Sequence, residues 1–378
     1  MIALSEPNLS GNEWKYIKEC LDTNWVSSVG KFVEKFESAV AGYCACKYAI
    51  ATSNGTAALH ISLLLAGVLP GDLVIAPNIT FVASINSIKY LQADPVLIDV
   101  TPDGWQMDLH LLEKFLAKEC SVQKGVCIHG SSNRVVRAIM PVHVLGNICD
   151  LDVLLQLADQ YKLAVVEDAT EALGSLYKSK QAGTFGLFGC LSFNGNKIIT
   201  TGGGGMIITN NEALAKKAKH LTTQAKADPN EYYHDEVGYN YRLVNILAAM
   251  GVAQMEQLPS FIARKKQVTH FYNQRLKKIP GIQPQAIPAS VDSNHWLYTI
   301  RVPKQPVLRK FLRNNQVDAR PFWVPMNRLP AFKNDIYFTA ADTSSSVYNE
   351  CLSLPCSTHI TDGELEKVAS LVADFYHG

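Results

Sequence analysis

Lys197 closes the run Leu191-Ser192-Phe193-Asn194-Gly195-Asn196-Lys197, and after Ile198-Ile199-Thr200-Thr201 come four consecutive glycines, Gly202 to Gly205. An amine in such a turn can form a Schiff base, but a lone surface lysine is ordinarily only solvated. Its chemistry depends on its company. Ser53-Asn54-Gly55-Thr56-Ala57-Ala58 follows an apolar run and opens a helical stretch. Gly55 allows a tight turn there, and the free N–H groups of a helix start suit a phosphate, although an ordinary capped helix reads the same way. Pro77-Asn78-Ile79-Thr80-Phe81 leaves another apolar run, so Phe81 either packs in the core or stacks on a flat heteroaromatic ring. The run Leu163 to Val166 ends in Glu167-Asp168. Successive strand residues face opposite sides, so one acid can enter a crevice while the other is solvated or paired. Capping of a following helix is the alternative. The four glycines do not form a nucleotide-triphosphate loop, because no G-K-[ST] follows them and they lack the strand-to-helix context. They read as a turn where backbone passes close to something.

These segments need a scaffold that brings them together. Ser10 followed by Glu13 has the form of a capping box, and Trp14, Ile17 and Leu21 then share a helical face. Beyond it, short apolar runs at Tyr48 to Ala51, Leu73 to Ala76, Pro95 to Val100, Ile139 to Val144 and Leu163 to Val166 read as strands. Between them lie the helical stretches Thr56 to Ala66, Ala83 to Leu91, Asp108 to Ala117 and Leu151 to Tyr161. Continuously apolar strands separated by helices predict an α/β fold with a mostly parallel sheet covered on both faces. A long helical pattern from Val244 to about Lys278, which Pro259 kinks or divides, ends at Ile279-Pro280-Gly281. It divides a large domain, residues 1–250, from a smaller α+β domain, residues 251–378. In the latter, His295 to Val302 reads as a strand, and Pro306 to Asn315 and Asp362 to Tyr376 as helices. Pro321, Pro325 and Pro330 mark an ordered loop. In an open α/β sheet, ligands gather at the carboxyl ends of the strands, where all four segments lie. A lysine amine, an acid that keeps a pyridine nitrogen protonated, a stacking aromatic and a phosphate cradle together match the needs of pyridoxal 5'-phosphate.

Composition narrows the alternatives. The chain has 378 residues, with 35 Lys and Arg against 34 Asp and Glu. A net charge of +1 offers no basic field for nucleic acid or an anionic membrane, so an anionic ligand must be caught locally. Charged residues make up 18%, below the ~25% usual for globular proteins, which implies surface buried between subunits. No basic segment and apolar core of a signal peptide follows Met1, and no apolar run approaches the ~20 residues of a membrane span, so a cytoplasmic protein is expected. The nine scattered cysteines include no C-x-x-C and read as reduced, mostly buried thiols. His143, Cys149, Asp150 and Asp152 come nearest to a metal-ligand group but lack recognised zinc spacing, so no metal is expected.

Seven stretches carry a family resemblance: E-P-N-L-S-G-N-E at 6–13, N-W-V-S-S-V-G-K-F-V-E-K-F-E at 24–37, S-N-G-T-A-A-L-H at 53–60, P-N-I-T-F-V-A-S-I-N at 77–86, V-E-D-A-T-E-A-L-G-S at 166–175, S-F-N-G-N-K-I-I-T-T-G-G-G-G-M at 192–206 and G-Y-N-Y-R-L-V-N-I at 238–246. In this order they resemble the DegT/DnrJ-type nucleotide-sugar aminotransferases, which are fold-type I pyridoxal phosphate enzymes. The resemblance implies that Lys197 is the Schiff-base lysine and Asp168 the pyridine partner. It also implies that Gly55, Thr56 and Ser192 anchor the phosphate, that Phe81 stacks on the ring, and that Asn240 reaches the phosphate of a neighbouring subunit in a homodimer with shared active sites. Many members carry Gln where this chain has Glu171, which contacts the cofactor's phenolic oxygen; the protonation of Glu171 stays open. Relatives that dehydrate sugars carry His in place of Lys197. The implied reaction moves an amino group from L-glutamate to a nucleotide-diphosphate keto sugar. The nearest branch acts on UDP-4-keto-6-deoxy-GlcNAc in bacillosamine and legionaminic acid synthesis. A GDP-perosamine synthase-like enzyme using a 4-keto-6-deoxymannose and a non-catalytic binding protein of the same fold are the alternatives.

Overall fold

A computed structural model describes residues 1–228 and 230–377. Its centre is a sheet in which the strands Tyr48–Thr52, Gly205–Thr209, Phe188–Ser192, Ala164–Asp168, Arg134–Ile139, Leu73–Pro77, Asp94–Ile98 and Ile336–Phe338 lie side by side in that order. Gly205–Thr209 runs antiparallel to both its neighbours, and the remaining pairs along this path are parallel. A hairpin extension, Cys120–Gln123 with Val126–His129, pairs antiparallel with the first half of Arg134–Ile139. The sheet separates two apolar layers. One is built around Phe36, Phe115 and Phe193, the other around Leu59, Ile61 and Phe188. Burial on both faces is why these strands read as unbroken apolar runs rather than alternating ones.

Most of the expected elements are present with ends moved by a residue or two, and three differ in substance. Ser10 does not cap the first helix, which starts at Glu13 with Asn12 at its N-cap. The Glu13 carboxylate instead accepts from Gly11 N at 2.8 Å and from Gln254 Nε2 at 2.6 Å, so the tie to the long helix outcompetes the local box. On that helix Cys20 and Glu13 face inward while Trp14 and Leu21 point outward, Trp14 being 75% exposed. The expected strand Ile139 to Val144 is displaced: the strand is Arg134–Ile139, and the chain after it turns off the sheet through Leu145, whose φ is 61°. Pro259 neither ends nor divides the long helix, which runs unbroken over Asn245–Leu276 with the proline inside it.

Beyond that helix, Gln283–Pro284, Tyr298–Arg301, Cys351–Leu354 and Arg320–Pro321 form an antiparallel four-stranded sheet. The helices Gln305–Asn314 and Asp362–His377 pack on it, burying Leu308, Leu312 and Val368 among others. The segment Ile336–Phe338 nevertheless leaves this part and joins the large sheet beside Asp94–Ile98. No helix among the described residues is long and apolar enough to cross a membrane.

Candidate active site

The strands Tyr48–Thr52, Leu73–Pro77, Ala164–Asp168 and Phe188–Ser192 all point their carboxyl ends at one cavity of about 540 Å³. That volume lies in the range of ~300–1,000 Å³ usual for small-molecule sites. Gly55, Thr56, Phe81, Asp168, Glu171, Ser192 and Lys197 all line it. Seven of the eight residues expected from the sequence are thus brought together. Asn240 is not among them: it is exposed and sits opposite Thr223 in an isolated antiparallel bridge. Its segment is held beside the helix start, because Ser53 N donates to Tyr241 O at 2.7 Å and Arg242 pairs with Glu37.

The helix Gly55–Leu65 begins where the first strand ends. Asn54 caps it, its Oδ1 accepting from Ala57 N at 2.8 Å. A Cβ on Gly55 would lie 2.9 Å from the Cβ of Ser192, and one on Gly205 would lie 2.3 Å from the carbonyl oxygen of Asn54. The last glycine of the four therefore lets its strand press against this turn. The leading amides of a helix lack partners within it and face the cavity with a partial positive charge. With the Ser192 side chain close by, they are donors of the kind that could hold a phosphate.

The Glu167-Asp168 pair divides as strand alternation requires. Asp168 faces the cavity and is 2% exposed; its Oδ2 accepts from Ser84 Oγ at 2.6 Å and its Oδ1 from Thr170 N at 3.1 Å. Ser84 is held in turn by Thr80 at 2.8 Å. Glu167 points the other way and is fully buried. It meets His143 Nε2 at 3.0 Å and accepts from the amides of Gly183, Phe185 and Gly186 at 2.7–2.8 Å. Burial alone would raise its pKa, but the hydrogen bond and charge of His143 and the backbone amides outweigh that and hold the carboxyl below its ordinary value.

Lys197 Nζ lies 3.5 Å from Glu171 Oε1, and Glu171 Oε2 accepts from Leu145 N at 2.8 Å. Burial pushes the Glu171 carboxyl above its ordinary value and the charge of Asp168 adds to that, while Lys197 and the Leu145 amide pull the other way. Phe81, which caps the helix Val82–Tyr90, is 52% exposed at the cavity mouth, so it is not a core residue. The histidine and acids weighed as metal ligands are engaged elsewhere: His143 with Glu167, and Asp150 with the amides of Asp152 and Val153 and the hydroxyl of Tyr177.

The cavity also holds residues that the sequence reading passed over. Ser84 and Thr170 orient Asp168; Ser84 lies in the first turn of the helix Val82–Tyr90, four residues after Thr80, with which it shares a hydrogen bond. Trp296, Arg320 and Trp323 come from the C-terminal part. The only signal for Arg320 and Trp323 was the proline-rich stretch read as an ordered loop, and Trp296 had none.

An amine beside the buried Glu171, in a cavity that Asp168 also lines, next to a helix start closed by Gly55 and Ser192, fits pyridoxal phosphate in the nature of its donors. On a mostly parallel sheet with a smaller C-terminal sheet, these features define a fold-type I pyridoxal-phosphate-dependent aminotransferase. The chain belongs to the DegT/DnrJ/EryC1/StrS aminotransferase family, whose model matches residues 7–373. It is a sugar aminotransferase that uses pyridoxal phosphate. It is 38% identical to a GDP-perosamine synthase of Caulobacter vibrioides, over 97% of this chain and 96% of that one. It is also 38% identical to the putative pyridoxal phosphate-dependent aminotransferase EpsN of Bacillus subtilis, over 100% of this chain and 96% of the relative. Among solved structures, DesV of S. venezuelae superposes with a TM-score of 0.87 at 27% identity, covering 97% of this chain and 95% of DesV.

Proposed function

We propose that the protein transfers an amino group from L-glutamate to C4 of a nucleoside-diphosphate-linked 4-keto-6-deoxy sugar, with UDP-4-keto-6-deoxy-GlcNAc as the first acceptor to test. The observation that carries the transfer is the placing of Lys197 between Glu171 and Trp296 in the cavity whose inner wall holds Asp168. Pyridoxal phosphate, when bound, supplies the electron sink and carries the amino group between donor and acceptor. Lys197 then serves as the base and acid that moves the proton at the reacting carbon. Asp168, held by Ser84 and Thr170, keeps a proton on the ring nitrogen. Glu171 faces the Lys197 amine and is placed to share or pass its proton. Gly55, Thr56 and Ser192 hold the phosphate, and Phe81 covers the ring at the mouth.

A second reading concerns the nucleotide. The 38% identity of this chain to the GDP-perosamine synthase of Caulobacter vibrioides supports a GDP-linked 4-keto-6-deoxymannose as the alternative acceptor. Both readings place a homodimer around the site, with Asn240 of one chain completing the cradle of the other. The exposure of Asn240 and the outward-facing Trp14, Leu21, Trp25 and Val29 support that arrangement. The presence of both Lys197 and Asp168 in the cavity speaks against a non-catalytic binding protein.

Turnover with L-glutamate against a panel of UDP- and GDP-linked 4-keto sugars, read by mass spectrometry of the sugar product, tests the proposal. An amino sugar is expected from one nucleotide series. No amination from either series, with no change in the visible absorbance of the loaded enzyme on adding L-glutamate, would overturn it.

A further inference from the structure

A second cavity, of about 660 Å³, adjoins the first, and Arg320 and Pro321 line both. Its wall carries Arg309, Lys310 and Arg313 from the helix Gln305–Asn314, together with Arg320 and a single acid, Asp318. The chain as a whole balances 35 cationic side chains against 34 acidic ones, so four cations against one acid is a local concentration. The helix itself contains no acidic residue. Arg309 and Arg313 stand four residues apart, an arrangement that destabilises a helix when the charges are alike. Several cations elsewhere on the surface find acids, as Lys18 does Asp22, Lys266 Asp292 and Arg275 Glu366. Among the described residues no carboxylate lies within ion-pair distance of Arg309, Lys310 or Arg313, and Arg320 reaches only Asp318, at 3.3 Å. Arg309, Lys310 and Arg313 thus give the groove exposed positive charge with no counterion among the described residues.

The catalytic cavity has one anion cradle, at Gly55, Thr56 and Ser192, and the cofactor's phosphate occupies it under the proposed function. A substrate bearing two further phosphates needs a separate set of donors. Guanidinium forks match phosphate oxygens two bonds at a time and are weakly hydrated, which suits them to this task. We propose that the groove lined by Arg309, Arg313 and Arg320 binds the diphosphate of the nucleotide-linked substrate. The keto sugar then lies in the catalytic cavity, and the diphosphate passes Arg320 into the groove. The assignment rests on the reading that the acceptor is linked to a nucleoside diphosphate. Because the groove is open to solvent, binding there weakens as salt is raised.

Isothermal titration of UDP, GDP and inorganic diphosphate into the pyridoxal-phosphate-loaded enzyme tests this. The proteins compared are the parent, Arg309→Ala/Arg313→Ala and, as a charge-matched control, Lys277→Ala/Lys278→Ala, whose cations lie outside the groove. Melting temperature and cofactor absorbance establish that each variant is folded and loaded. The groove variant is expected to weaken nucleoside diphosphate binding roughly tenfold or more and to raise KM for the nucleotide-linked sugar, while the control stays near the parent. If the groove variant binds UDP and GDP as the parent does and KM is unmoved, the groove assignment is wrong while the substrate reading stands. Weakened inorganic diphosphate binding with an unchanged KM means the groove holds a free anion, which also overturns the assignment. If the parent takes the amino group from L-glutamate yet neither binds nucleoside diphosphates nor aminates any nucleotide-linked sugar, the substrate reading fails and the groove assignment with it.

Discussion

The Lys197 ammonium lies 4.0 Å from the centre of the Trp296 ring. The same indole donates its N–H to the carbonyl of Asn196 at 2.7 Å, so one side chain from the C-terminal part both faces the amine and ties down the turn that carries it. Lys197→Ala is expected to keep the fold and lose transamination, since the residue serves chemistry rather than packing. Borohydride reduction of the loaded parent followed by peptide mapping should place the pyridoxyl group on Lys197; its recovery on Lys178 or Lys180 would sink the assignment. Trp296→Leu should still load cofactor but turn over about tenfold more slowly, as a cation over an aromatic face is worth roughly 1–2 kcal/mol when desolvated.

Asp168→Asn keeps the shape of the side chain and removes its charge. With the ring nitrogen no longer held protonated, the rate should fall by roughly a hundredfold, or ~2.7 kcal/mol of barrier. Steady-state rates of the variant within a few-fold of the parent would count against this role.

Glu171 has a pKa raised above 4.5, chiefly by burial. The folded state therefore holds this proton more tightly than the unfolded chain does. The resulting stability is fully present below the unfolded value and is lost as pH rises through the raised one. Glu171→Gln removes that loss. Cofactor-free Glu171→Gln should melt higher than the parent on the alkaline side of the raised pKa, the gap closing as pH falls toward 4.5. A lower melting temperature for the variant at every pH would contradict this account.

Glu167 behaves in the opposite sense. Its pKa is depressed, so its contribution is present above the unfolded value and is lost as pH falls through the folded one. Glu167→Gln takes the charge from a buried group that meets His143 and three backbone amides, and should cost about 3 kcal/mol at neutral pH. Urea unfolding should show that cost shrinking in acid; a variant as stable as the parent at pH 7 would show that Glu167 does not tie the segments at His143 and at Gly183 to Gly186 to the central strand Ala164–Asp168.

The proposal that Asn240 completes the site of a partner subunit predicts complementation between inactive subunits. In a symmetric dimer with two equivalent sites, mixing Lys197→Ala with a bulky replacement at Asn240 puts both lesions in one site and leaves the other intact. Once exchange is demonstrated with mass-tagged chains, mixed dimers should regain up to half the activity. If both parents are inactive and the exchanged mixture is too, Asn240 acts within its own chain.

The α/β alternation and the helix start at Gly55 were legible in the chain, because helical and strand periodicities and helix-start signals are local and survive without neighbours, whereas Lys197, Asp168 and Ser192 were singled out by the resemblance of the motifs that carry them. Which of the two adjacent acids faces the cavity was not legible in the periodicity, since alternation permits either and only the pairing of Glu167 with His143 and the amides of 183–186 decides it. The box at Ser10 was a sound local signal that lost to a distant one, the Glu13 contact with Gln254. Trp296 and Arg320 reach the cavity from the C-terminal part, so no spacing in the chain places them there, and the cations spaced along the helix Gln305–Asn314 become a groove beside the cavity only through that packing. Local sequence determined the elements and the reactive groups. Packing between distant segments decided how those groups are oriented, which charges are buried, and where an anionic substrate finds its counterions.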